Sequence, residues 1–229
     1  MAQPLTMLEP ATLPLLGLYA GGLRPLPPEG QLTGIYKSAL SGAVRLGAEG
    51  LEGDRQADRR YHGGVHKALH HYPAEHYAGL AAHLPALGAA LGPGLFGENL
   101  STRGWDEEAV CVGDIFRLGT ARIQVSEPRS PCWKLDCRTE HPGLSRLIAA
   151  EGLTGWYYRV LEEGLVSAGD ELRLLDRPAP GITLARVWRA RLAHRPDPAE
   201  LAILAAASGL SPVWQQRFSE RHDWLLRNG

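Results

Sequence analysis

Glu127-Pro128-Arg129-Ser130-Pro131-Cys132-Trp133-Lys134-Leu135-Asp136-Cys137 follows directly on a run, Ala121 to Ser126, in which apolar and polar residues alternate. Ala121, Ile123 and Val125 fall on one face and Arg122, Gln124 and Ser126 on the other. That period of two is the pattern of a half-buried strand. Two prolines then bracket Arg129 and Ser130. Proline fixes φ, removes a donor and pushes the preceding residue toward extended geometry. The expected result is a stiff loop at a strand end with Cys132 at its tip. Arg129 and Lys134 lie close in sequence, and nearby cations favour the thiolate, the form that attacks or ligates metal. The opposing reading is a small buried hydrophobe, the usual fate of a free cysteine.

Outward from this stretch, 229 residues allow one large domain, or one domain with a small satellite. A composition of 44% hydrophobic and 21% charged residues is that of a soluble globular protein. A net charge of −1 gives no reason to expect nucleic acid or another large polyanion as partner. Three cysteines make no disulfide framework, which points to a reducing, cytoplasmic compartment. The apolar patch Leu13–Leu18 has no basic residue before it and is interrupted by Pro14, a poor signal peptide. No apolar run reaches 18 residues, so no membrane span is expected.

Residues 1–30, rich in proline and glycine, read as a segment wrapping the surface, with a strand near Leu15–Tyr19. Gly34–Ser41 and Ala43–Leu46 have strand character, with Lys37 read as a solvated strand residue. Gly50-Leu51-Glu52-Gly53-Asp54 and Tyr61-His62-Gly63-Gly64-Val65-His66-Lys67 follow. Paired glycines let backbone bend sharply or approach a ligand, and successive N–H groups there can form an anion nest. His70, His71 and His76 raise zinc, but no H-E-x-x-H pattern or nearby cysteine supports it. Pro73 opens a helix with Tyr77, Leu80, Ala81 and Leu84 on one face. Asn99, after a glycine-rich loop, reads as a cap or turn residue.

Val110–Phe116 and Ala121–Ser126 suggest a hairpin, Gly143–Ala150 a short helix, and Trp156–Leu161 and Glu171–Leu175 closing strands. The fold class is therefore mainly β (α+β), a partly closed barrel with inserted helices over residues 31–178. After the linker Arg177-Pro178-Ala179-Pro180-Gly181 the period lengthens to that of helices. Thr183–Ala193, Pro198–Ala207 and Pro212–Arg227 form a three-helix satellite over residues 182–229, with Asp197 and Ser211 as caps. Its basic residues are scattered among acids, which favours a docking or homodimerisation module over a helix-turn-helix.

Lys37-Ser38, Gly-Leu-Glu-Gly-Asp, His-Gly-Gly, Phe96-Gly97-Glu98-Asn99-Leu100-Ser101, Val112-Gly113-Asp114 and Pro128-Arg129-Ser130-Pro131-Cys132 occur in this order. The ordered set resembles a MOSC domain, the module shared with the C-terminal part of molybdenum cofactor sulfurases. The trailing helices resemble the small helical domain of its YiiM-like branch. The resemblance implies a β-barrel-like fold holding a molybdopterin-type molybdenum cofactor, with Cys132 as metal ligand. It implies reduction of N-hydroxylated compounds, such as hydroxylaminopurine-type bases and amidoximes, to amines, with electrons from a separate reductase. Other relatives are linked to sulfur handling, so non-catalytic cofactor carriage and a sulfur-carrying Cys132 stay open.

The chemistry of the candidate residues suits that cofactor. Thiolate is an apt soft ligand for a metal already held by a dithiolene. Arg129, Lys37 and Lys67 are candidates for its phosphate, with Ser38 and Ser130 as hydroxyl donors. Gly63 and Gly64 would let backbone approach the pterin, and Asn99 offers donors and acceptors to its edge. His62 reads either as a donor to the cofactor or as a structural bond. Trp133 reads as a site wall or as core, Cys111 as core, and Cys137 has no role. No flavin or nicotinamide fingerprint is present, which again calls for an external electron donor.

Overall fold

A computed structural model describes residues 12–228; residues 1–11 of the wrapping segment lie outside them. Nine strands form one curled half-barrel sheet. From edge to edge these are Thr12–Pro14, Glu171–Asp176, Ile115–Leu118, Ala121–Pro128, Trp156–Glu162, Leu69–His71, Leu100–Ser101, Gly17–Ala20 and Ser38–Ala39. Neighbours are antiparallel except Leu69–His71 beside Leu100–Ser101. The mixed α+β, barrel-like architecture expected from the alternation is the one observed.

Ala121–Pro128 is the longest strand of the sheet, and Ala121, Ile123 and Val125 are buried as their spacing requires. A shift in register between Val125 and Glu127 then breaks the alternation. Ser126 and Glu127 are consequently both buried, although they are adjacent. Irregularities of this kind re-aim side chains at sheet rims. Here it delivers the chain into the loop that carries Cys132.

Several elements differ from the sequence expectation. The hairpin's first strand starts only at Ile115. The preceding Val110–Asp114 is held as a loop by the Cys111 N–H donating to Asp114 and by a bridge between Cys111 and Thr183. Gly34–Ser41 contributes only Ser38–Ala39 to the sheet. Two short helices, Arg59–His62 and Lys134–Thr139, were not anticipated. The C-terminal helices Leu184–Leu192, Pro198–Ala205 and Pro212–Asn228 match the expected segments. Asp197 caps the second through Ala199 N–H. Ser211 does not cap the third: its buried Oγ has no partner, while its N–H donates to Ser126 O at 2.9 Å.

These helices share their apolar core with the sheet. Val187, Trp188, Leu201, Trp214 and Phe218 belong to the same buried cluster as Val112, Phe116 and Ile123. Backbone bonds cross the junction, Val112 N–H to Ile182 O and Leu184 N–H to Val110 O, both at 2.9 Å. The tightest approach is between two glycines. A Cβ on Gly209 (φ +89°) would stand 2.3 Å from Gly113 Cα. Both contacting groups are backbone and the φ is one L side chains rarely adopt. Gly209→Ala is therefore expected to lower unfolding free energy by about 2 kcal/mol, read from the urea midpoint. An unchanged midpoint would mean the helices are not seated as described. No helix among the described residues is long and apolar enough to cross a membrane.

Candidate functional site

The loop Arg129–Trp133, between the strand Ala121–Pro128 and the helix Lys134–Thr139, sits at the mouth of a small pocket of about 70 Å³. Lys37, Lys67, Arg129 and Lys134 all line it, together with Cys132, and no carboxylate does. The pocket is built to receive negative charge.

Gly155 explains how the loop reaches this position. It accepts a hydrogen bond from Arg129 N–H at 3.0 Å and adopts φ +64°. A Cβ there would lie 2.3 Å from His71 O and 3.2 Å from His70 Nε2, so only glycine lets these strands close over one another.

Beneath the pocket, buried Asp54 collects four donors. Gly21 N–H reaches Oδ1 at 2.9 Å; Lys37 Nζ at 2.6 Å, Gln56 Nε2 at 3.1 Å and Asn99 Nδ2 at 3.1 Å reach Oδ2. The Lys37 side chain is 6% exposed, so it is not the solvated strand residue its sequence suggests. Burial lowers its pKa while Asp54 opposes that shift. Asn99 is neither cap nor turn residue: its Oδ1 accepts from His70 N–H at 3.0 Å and its Nδ2 also donates to Tyr19 O. The Lys-Ser, Gly-Leu-Glu-Gly-Asp and Gly-Glu-Asn-Leu segments thus meet in one polar cluster. Neighbouring Glu98 is fully buried, and burial raises its pKa although Tyr77 Oη and the Gly94 and Phe96 N–H groups all donate to it. Its bonds shape the pocket's Phe96-Gly97 wall.

Around Cys132 the groups are less satisfied. His62, at the end of helix Arg59–His62, places Nε2 3.5 Å from Cys132 Sγ. Burial, reinforced by Lys134, Arg129 and Lys67, pushes its pKa down to about 4. The imidazole is neutral at pH 7, so the positive charge beside Cys132 comes from the three cations rather than from an imidazolium. Three buried polar atoms at the pocket have no partner among the described residues: Arg129 Nη1, His70 Nε2 and His62 Nδ1. Buried polar groups are nearly always paired, and an unpaired one costs about 1–3 kcal/mol. Three together are what a site shaped around a polar ligand leaves open. Burial raises the Tyr157 phenol to about 12, with the Arg129 guanidinium opposing, so it stays a neutral hydroxyl beside the cation.

Of the residues singled out in the sequence, Lys37, His62, Lys67, Asn99, Arg129 and Cys132 line this pocket. Ser38 lies exposed on the edge strand, and Ser130 is exposed and lines a neighbouring groove. Gly63 packs against Arg59 and Gln56; Gly64, at φ +89°, faces open space. Lys67 donates to Tyr61 O at 2.8 Å and stands 3.5 Å from Glu127. Trp133 is 43% exposed at the rim, and Cys111 is core. Sequence reasoning gave no role to Asp54, Gln56 or Tyr157, and considered His70 only for zinc. A buried acid with a lysine partner 17 residues earlier has no periodic signature. Among the described residues no group of three or more His, Cys, Asp or Glu could hold a metal ion.

Arg129→Met is expected to weaken binding of pyrophosphate about ten- to a hundredfold in calorimetric titration, as loss of a charge-assisted bond requires. It should also raise the melting temperature of ligand-free protein, because a buried unpaired charge disappears.

The MOSC domain family profile matches residues 58–173. Protein YiiM of Escherichia coli K12 is 40% identical over 209 residues, 89% of this chain and 90% of that one. A protein of Gibberella moniliformis named "Reductase" is 38% identical over 182 residues, 77% of this chain but only 32% of its own length. The crystal structure of E. coli YiiM superposes with a TM-score of 0.79 at 34% identity, covering 94% of each chain.

Proposed function

Because the chain belongs to the MOSC domain family, we propose that its cationic pocket holds a molybdenum cofactor and that the protein reduces N-hydroxylated compounds to amines. The observation that carries this reading is Cys132, partly exposed at the mouth of a pocket with four cations and three unpartnered buried polar atoms. The residues present fit such a cofactor. Cys132 is the soft ligand for its metal. Arg129, whose Nη1 is free, is better placed for the terminal phosphate than Lys37, whose ammonium is already held by Asp54. His70 Nε2 and His62 Nδ1, buried without partners, would pair with the pterin edge. Ser38, Ser130, Gly63 and Gly64 stay secondary candidates, reachable only if their segments close on the ligand.

When bound, the cofactor supplies a metal centre that cycles two electrons. The net change is R–NHOH plus two electrons and two protons to R–NH2 and water. The chain's own contribution is to place the ligand, to neutralise its charge with Arg129, Lys67 and Lys134, and to keep a neutral imidazole at the thiol. The electrons come from an external reductase. In support, a fungal relative named "Reductase" is far longer than the region it shares with this chain, which leaves room there for further domains.

Molybdenum content by mass spectrometry, with oxidised-pterin fluorescence, tests the reading on protein made in a host that synthesises the cofactor. Near-stoichiometric metal and pterin are expected in wild type, with metal lost in Cys132→Ala. Wild-type protein should then reduce a hydroxylaminopurine or an amidoxime with an artificial reductant. Neither metal nor pterin after reconstitution would remove the reading. Loaded protein that turns over no N-hydroxy compound would leave a cofactor carrier.

A further inference from the structure

We infer that the groove beside the cofactor pocket is a substrate site for planar heteroaromatic N-hydroxy compounds that carry an anionic group, a nucleotide rather than a free base. The inference rests on the proposed function and adds the substrate's shape and charge. The groove, of about 340 Å³, shares Cys132, His62, Lys67 and Tyr157 with the pocket, so a ligand lying in it sits beside the thiol.

Its remaining walls define the ligand. Tyr61 and Trp133 border it and are 66% and 43% exposed, two large ring faces on which an aromatic base can stack. Glu127 also lines it, yet is only 4% exposed, with Lys67 3.5 Å away. A carboxylate held there by the register shift of its strand accepts hydrogen bonds from N–H or N–OH groups of a base edge. The far wall comes from the last helix, through Val213, Trp214 and Arg217. Arg217 is exposed, stacks over the Trp214 ring at 5.9 Å, and has no carboxylate partner among the described residues. Of the other arginines on these helices, Arg186, Arg189 and Arg221 are engaged by carboxylates or backbone carbonyls, and Arg191 and Arg227 do not line the groove. A guanidinium at the rim of an aromatic groove, free to make a bidentate contact, suits a phosphate. The C-terminal helices thereby gain a role: they complete the substrate site.

The test is titration of the full-length protein, followed by tryptophan fluorescence, with adenosine monophosphate and with adenine as unreactive probes. Adenosine monophosphate is expected to bind at least tenfold more tightly. Arg217→Gln should abolish that difference and leave adenine binding unchanged, while Arg129→Met should leave the difference in place. Equal affinity for both probes, or no binding of either, would overturn the inference. So would loss of the preference in Arg129→Met but not in Arg217→Gln, since the phosphate would then occupy the cofactor pocket. Molybdenum content in Arg217→Gln is read separately, so a failure here is distinguishable from failure of the cofactor assignment.

Discussion

Lowering the pH from 7 to 4 is expected to remove several kcal/mol of folding stability from the ligand-free protein, with most of the loss below pH 6. The cause is burial of neutral histidines. His71 is fully buried and makes 3.0 Å bonds to Tyr158 Oη and Thr102 Oγ1; burial alone brings its pKa down to about 3. His70 is held well below its ordinary value by burial and then by Arg129 and Lys37. In the unfolded chain both take up a proton near pH 6.5, whereas in the fold they stay neutral. Protons therefore bind preferentially to the unfolded state. The stabilisation is fully present above pH 6.5 and is lost as the pH falls toward the folded values. Each site loses about 1.4 kcal/mol per pH unit inside its window. Burial raises Glu98 and Asp114 from their ordinary values, so as the pH falls they take up protons in the fold before they do in the unfolded chain and offset part of this. Urea unfolding at pH 7, 6, 5 and 4 reads the effect. His71→Gln should flatten the dependence, and a stability that stays level down to pH 4 would contradict the buried neutral assignment.

Asp54→Asn is expected to cost about 3–5 kcal/mol, the effect of stranding one partner of a buried ion pair. Four donors converge on this carboxylate from positions 21, 37, 56 and 99. An amide in its place carries no charge for Lys37 and turns one acceptor into a donor facing other donors. The second change, Lys37→Met in the Asp54→Asn background, should recover more than half of the loss, because the stranded ammonium goes with it. Urea midpoints of the two variants decide the matter. A cost below about 1 kcal/mol for the single variant would mean that Lys37 finds water or another partner.

What the sequence reveals follows from where periodicity operates. The Ala121–Ser126 alternation and the spacing of the last three helices record burial on regular elements, and those elements are where they should be. The proline-bracketed loop is legible for the same reason, since proline constrains backbone wherever it sits. The Lys37–Asp54 pair joins two irregular segments and leaves no pattern. Ser38 and Ser130 each follow a charged residue, but successive residues of extended chain face opposite ways. Lys37 and Arg129 point inward while Ser38 and Ser130 are exposed. Glu127 escaped because a register shift moved it to the face opposite Val125, paired with Tyr157, against the alternation that made the strand readable.

The pocket is assembled from short pieces far apart along the chain, among them Thr33–Ile35, Gln56, Phe96-Gly97, Arg129 and Tyr157. The sheet beneath it reaches Asp176, and its apolar core takes in Phe218. A chain stopping between Tyr157 and Pro212 carries every side chain that lines the pocket but lacks Trp214 and Phe218 of the core. Ligand binding therefore depends on packing completed far downstream of the last residue that touches the ligand.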